Sequence, residues 1–233
     1  WKEADFLGLK IQGYSELLMD EVKSQVKAAS GSIEETRRTV HKLVTTTGKL
    51  HSYISSRLGG DAAVESLSKD LEDALPSVLD KFHKMFPSPD QAVHHNERER
   101  AIRSLLDMIE DAIVTIGSKH GIDEAVLREH IAHMKPLILK LVLLTGDISE
   151  EYPSLRETLL FTIIGLITPE SWILRPILRA FGFGPAGPMK GSTAAWAQRY
   201  FFGGVVQKGS WFSYLQKAGM TVIPHGIGKA ITG

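Results

Sequence analysis

One pattern constrains this chain more than any other. From Ala4 to Gly146, apolar residues return every three or four positions, with Asp, Glu, Lys and Arg between them. That spacing lines one face of an α-helix and cannot line one face of a strand. The first helix is expected over 4–29, with Phe6, Leu9, Tyr14, Leu17, Val22 and Val26 inward and Gly31 closing it. Ser32-Ile-Glu-Glu35 has the form of a capping box, in which a serine and a glutamate three residues on satisfy each other's backbone donors. A second helix should therefore run from there to Leu58, with Ile33, Val40, Leu43, Leu50 and Ile54 on a heptad-like seam.

Gly59-Gly60 ends that helix, and Asp61 can cap the next. The third helix places Val64, Leu67, Leu71, Leu75, Val78 and Phe82 inward, and Pro76 should kink or break it. Helical spacing resumes over 97–117, breaks and recaps at Gly121-Ile-Asp123, and continues to Gly146 with Pro136 as an interruption. No period-two run and no Asn-Gly or Asp-Gly hairpin signal occurs. The expected fold is all-α: a bundle of long antiparallel helices over 1–148, then a compact set of shorter, glycine-rich apolar helices over 149–233.

The second region differs in chemistry. Ser154-Leu-Arg-Glu157 reads as another capping box, opening a very apolar helix through Ile167. Thr168-Pro169 should start a further helix that carries Trp172, Ile173, Leu174, Ile177 and Leu178, with Arg175 and Arg179 one turn apart. The chain has a net charge of zero, yet residues 171–233 hold seven Lys/Arg and no acid, while the first 170 hold all 27 acids. The zero therefore divides into −7 and +7. Ten of the 18 aromatic residues also fall in those last 63 positions. A basic, aromatic segment of this kind points to an anionic partner or to the acidic half of its own fold.

Enzyme signatures are absent: no phosphate-binding glycine loop, no Rossmann fingerprint and no Gly-x-Ser-x-Gly elbow. Glu129-His130-x-x-His133 supplies two histidines without further ligands at convincing spacing, so no metal site is expected. Glu34-Glu35 and Glu150-Glu151 read as acids at helix N-termini, where the dipole favours them. No catalytic residue and no cofactor is assigned. There is no cysteine, so neither a disulfide framework nor a redox compartment can be read. Nucleic acid is an unsuitable partner. Lys190, Arg199, Lys208 and Lys217 lie nine apart among residues too apolar for a solvated groove.

A membrane surface fits better. Trp and Tyr favour the headgroup boundary, and lysines beside them meet anionic lipid. The residues expected to do this are Trp172, Trp196, Arg199, Tyr200, Phe201, Phe202, Lys208, Trp211, Phe212 and Lys217. Gly187, Gly191 and Ala195 form two small-x-x-x-small steps that let helices approach closely. No apolar run reaches the ~18–20 residues of an ordinary span. Leu159–Ile167 with Trp172–Leu178, and Trp196–Phe202 with Trp211–Leu215, are the candidate insertable hairpins. Homo-oligomers on the membrane are the expected assembly. The location is membrane-associated, on an intracellular membrane or secreted, with secretion favoured if Trp1 is a processed start.

Gly191-Ser192-x-Ala194-Ala195-x-x-Gln198, then Gly203-Gly204, Val206 and Gly209-Ser210-x-Phe212-x-x-Leu215-Gln216-x-x-Gly219, resembles the interferon-inducible six-sixteen family of small hydrophobic proteins. Gly182-Phe183-Gly184-Pro185-Ala186-Gly187 is similar to that family's entry turn, so the resemblance spans roughly 182–220. It implies a membrane-associated helical module, in animals on mitochondrial or endoplasmic reticulum membranes and tied to cell-death control and innate defence. It implies no enzymatic activity or cofactor. Similar modules occur in fungal proteins behind a longer leading region, the layout seen here. The chain departs from the family where Lys190, Arg199, Lys208 and Lys217 interrupt segments that are otherwise apolar enough to span. The expected function is thus non-enzymatic and membrane-active, of the pore-forming or permeabilising kind. The alternative is a soluble helical binding or scaffold protein whose last segment is its packed core.

Overall fold

A computed structural model describes residues 23–86, 93–167, 171–183 and 193–203. The chain divides into two compact units, Gln25–Gly204 and Trp1–Ser24 with Val205–Gly233. All the described residues except Lys23 and Ser24 belong to the first. Its helices are α1 (Ser30–Leu58), α2 (Asp61–Met85), α3 (His95–Lys119), α4 (Glu124–Glu151), α5 (Arg156–Gly165), α6 (Leu174–Ala180) and α7 (Thr193–Phe202). No strand occurs among the described residues. The all-α fold expected from the periodicity is the fold observed. Of the helix expected over 4–29, residues 4–22 lie outside the described residues, as do Thr168 and Pro169.

The four long helices close a ring in which α1 packs on α2 and α4, and α3 packs on α2 and α4. Short connections make neighbours antiparallel. Each long helix buries the stripe its sequence prescribes: Val40, Leu43, Leu50 and Ile54 on α1, and Leu67, Leu71 and Phe82 on α2. On α3 and α4 the stripes include Ile102, Leu105 and Ile109, then Leu127, Ile138, Leu141 and Val142. Buried Thr36 and Thr39 satisfy their hydroxyls inside α1 by donating to the carbonyls four residues back. Asp123 caps α4 as expected, its Oδ1 accepting from the backbone N–H of Ala125 at 2.8 Å and Val126 at 3.2 Å.

Four local expectations are corrected. The break falls at Ala29 and not at Gly31. Ala29 N–H ends the preceding helical stretch by donating to Gln25 O, and the Ala29 carbonyl accepts from Ile33 N–H at the start of α1, so Ser32–Glu35 lies inside α1 and caps nothing. Glu34 and Glu35 accordingly meet no open helix start. Pro76 and Pro136 do not end their helices, because both are exposed and each removes one hydrogen bond on the outer side. An apolar stripe continuing on either side outweighs that loss. Ser154 does not cap α5 either, for its hydroxyl is bonded to Gln25, and α5 begins from a 3₁₀ turn at Pro153–Leu155. Finally, Glu150 and Glu151 are the last residues of α4 and not the start of a new helix.

The shorter helices complete the ring's interior. α5 packs on α4, α6 on α2 and α7, and α7 on both α2 and α4, which face each other diagonally. Residues on both sides of position 148 therefore contribute to one core, which runs from Val40 to Phe202.

Candidate functional site

α6 is seven residues long and almost wholly enclosed. Ile173, Leu174, Pro176, Ile177, Leu178, Ala180 and Phe181 are buried, and only the Arg175–Arg179 stripe faces out. Arg175 returns to the chain by donating to Ile167 O at 2.9 Å. A helix this short does not hold itself together, so its neighbours must. Ser171, just before it and fully buried, accepts from the Thr47 hydroxyl of α1 at 2.9 Å and donates to Val44 O at 3.3 Å. That pair anchors the entrance of α6 to the middle of α1.

α7 brings aromatic rings to the end of α2. Trp196 stacks on Tyr200 with centroids 5.2 Å apart. Phe82 meets Trp196 edge-on at 5.6 Å and stacks on Phe201 at 6.2 Å. Phe181 lies 5.2 Å from Phe201, and Phe183 lies 5.0 Å from Phe202. Such edge and offset pairs each add ~0.5–1.5 kcal/mol beyond area burial. The buried Trp196 indole N–H has no hydrogen-bond acceptor among the described residues. Burial, with the Glu97 carboxylate nearby, pushes the Tyr200 phenol up to about 12. Tyr200 therefore stays neutral at any physiological pH.

Gly182 joins α6 to α7. Its φ is +89°, a left-handed conformation that a side chain resists, and a Cβ there would lie 2.6 Å from Gln198 N and 3.0 Å from Ala197 C. Main chain thus rests on main chain at this point, and only glycine fits. The Gly-Phe-Gly-Pro signature contained this residue, but nothing in the order of residues says what it touches.

Where the start of α3 meets the end of α4 sits an ionic clasp that sequence reasoning missed. Arg98, near the start of α3, is fully buried. It donates to Asp147 at 2.8 Å, to Glu150 at 3.1 Å and to Val93 O at 3.1 Å, while its Nε has no partner among the described residues. His95 approaches Asp147 at 3.0 Å. Room for the guanidinium comes from Gly146, where a Cβ would fall 2.6 Å from the Arg98 Nη1. The signal was present as an i, i+3 pair of acids at the end of α4. It could not be matched to Arg98 without the fold.

The expected membrane-facing set divides four ways. Trp196, Tyr200, Phe201 and Phe202 are buried in the core, Trp172 packs half-buried against it, and Arg199 is exposed on the outer side of α7. Lys208, Trp211, Phe212 and Lys217, with Gly187 and Gly191 of the packing steps, lie outside the described residues. Ala195 is on α7 and half-buried. In this conformation the α7 rings touch protein, so they reach a lipid surface only if α7 leaves the ring. Among the described residues there is no group of three or more His, Cys, Asp or Glu that could hold a metal. No helix among them is long and apolar enough to cross a membrane.

The Interferon-induced 6-16 family matches the chain over residues 162–233. The match extends the resemblance beyond the 182–220 motifs at both ends, taking in the end of α5 and all of α6 and α7. It is consistent with a membrane-associated protein. No curated protein and no solved structure matches the chain.

Proposed function

We propose that this protein is a non-enzymatic, membrane-active protein that shelters α6 and α7, from the first part of a 6-16-like module, inside a helical ring and releases them to anionic lipid. One observation carries this reading. The segment that matches a membrane family contributes two short apolar helices, α6 and α7, which fill the ring as separable elements rather than extending its long helices. Release would present Trp196, Tyr200, Phe201 and Phe202, together with the C-terminal bases and aromatics, to the headgroup region. Apolar hairpins would then insert and self-associate into homo-oligomers that permeabilise the bilayer. Moving Arg or Lys to mid-bilayer costs ~2.5–3.5 kcal/mol on insertion scales, which keeps the bases at the interface or along a lumen.

The burial of the same rings favours a second reading, in which α6 and α7 are permanent core of a binding or scaffold protein. A disulfide separates the two. The chain has no cysteine, and the Thr47 and Ser171 oxygens lie 2.9 Å apart, so Thr47→Cys/Ser171→Cys places two sulfurs within bonding reach. The oxidised variant should bind anionic vesicles without releasing trapped dye, and reduction should restore release to the wild-type rate. Equal release from the oxidised and reduced forms would show that α6 need not leave. No release from wild type under any lipid composition would favour the scaffold.

A further inference from the structure

The long helices carry a second cationic feature, far from the aromatic tail in sequence. Between Thr36 and Gly60 there are five Lys/Arg and no Asp or Glu. At about 100° per residue, Arg38, Lys42 and Lys49 fall within one narrow stripe of α1, with Arg57 at its edge. All four are exposed. Among the described residues, Lys42, Lys49 and Arg57 have no carboxylate partner. The acids nearest this stripe on α1 are already engaged, Glu34 by Arg37 and Arg38, and Glu35 by Lys140 of α4.

The neighbouring edge of α4 continues the face. His130 lies against Tyr53 with ring centroids 5.7 Å apart, and exposed His133 and Lys140 follow on the same side. Between His130 and Gly146 α4 has no acid. Its outer ridge there is unusually apolar, with exposed Pro136 and half-buried Leu137, Leu143 and Leu144. By contrast α2 carries more acids than bases, so the positive character belongs to this side of the ring.

We infer that the outer face of α1 and α4 is a docking surface for an anionic lipid bilayer. Charge complementarity selects an anionic partner, since free lysines in a row would each gain contact with phosphate or carboxylate headgroups. The apolar ridge selects a bilayer over a nucleic acid. Leucine and proline gain at the headgroup–acyl boundary and gain nothing against a phosphodiester backbone. It would orient the ring on the membrane before α6 and α7 move. This inference rests on the membrane reading above, but it concerns residues outside the family match.

The test is vesicle co-sedimentation with the full chain and mixed phosphatidylserine–phosphatidylcholine vesicles. Neutralising two lysines worth ~1 kcal/mol each makes Lys42→Gln/Lys49→Gln bind about 30-fold more weakly. Lys69→Gln/Lys81→Gln, the same charge change on exposed positions of α2, should leave binding unchanged. Wild-type binding should also fall as salt screens the contact. Circular dichroism checks that both variants remain helical. If wild type binds and Lys42→Gln/Lys49→Gln binds equally well, or if the α2 pair weakens binding as much, the docking face is overturned and the membrane reading stands. If wild type does not bind at all, both fall. If Lys42→Gln/Lys49→Gln keeps vesicle binding but loses binding to duplex DNA, the face belongs to a nucleic acid and the inference is overturned.

Discussion

The ring and its filling are built by opposite means. α1 to α4 each bury one stripe, show a charged face to water and are laced on the outside by pairs such as Arg128 with Glu110 and Lys135 with Glu110. α6 and α7 have little charged face. Rings pressed on rings hold them, together with one hydroxyl pair and one backbone contact at Gly182. The long helices would keep their amphipathic stripes without the filling, though Phe82 would then face open space. The filling has no such independence, because its helices are too short to persist in water alone. The difference teaches that the apolar segment is kept folded by the ring. Its exposure is a property of the whole fold rather than of the segment.

The strongest challenge to this comparison is Phe201→Ala. Phe201 is fully buried and touches Phe82, Phe181, Trp196 and Tyr200. Its loss should lower unfolding stability by ~3–5 kcal/mol in a urea titration. A loss below ~1 kcal/mol would mean that the ring collapses around the missing side chain and that the filling is an attachment, not a core.

The clasp is the next test, and it probes how the ring itself is held together between α3 and α4. Asp147→Asn/Glu150→Gln strands a buried guanidinium and should cost about 3 kcal/mol, at the low end for a broken buried pair because both carboxylates are half-exposed. Arg98→Met on that background should recover part of the loss, since the unpaired charge goes with it. Failure of Arg98→Met to recover anything would show that shape, and not charge, matters at this position.

The smallest effect is an alkaline one. Tyr200 has its folded value raised to about 12 from an ordinary 10.0, chiefly by burial. A raised value favours the proton-bound, folded form. Its contribution is therefore fully present below pH 10 and is lost as pH rises toward 12. Thermal midpoints of wild type and Tyr200→Phe should run parallel to pH 10, then diverge, with wild type falling faster. Parallel curves through pH 12 would place the Tyr200 hydroxyl in water and α7 outside the core.

The sequence was most legible where local and global demands agree. The stripes of α3 and α4 and the Asp123 cap needed no partner to be recognised. Ser32-Ile-Glu-Glu35 misled by a few residues, because α1 starts at Ser30 with Ala29 in the N-cap position, and the serine already lies inside its first turn. Pro76 and Pro136 misled because a one-dimensional reading ignores which side of the helix faces water. At the site, the segment's apolar, basic and aromatic character was readable from composition, whereas the Thr47–Ser171 pair joins residues 124 apart and the Arg98 clasp joins residues 49 and 52 apart. Those contacts exist only once the ring has closed.

Gly182 has a mechanical consequence. Because its α-carbon sits directly on the backbone of Ala197 and Gln198, no thickness of side chain separates α6 from α7 that could shear. The two helices are spliced like the halves of a lap joint, and a force on one is delivered to the other. A tether at Ser171 would then immobilise Trp196 as well, so the least piece that can travel is the whole couple, with its rings still interlocked.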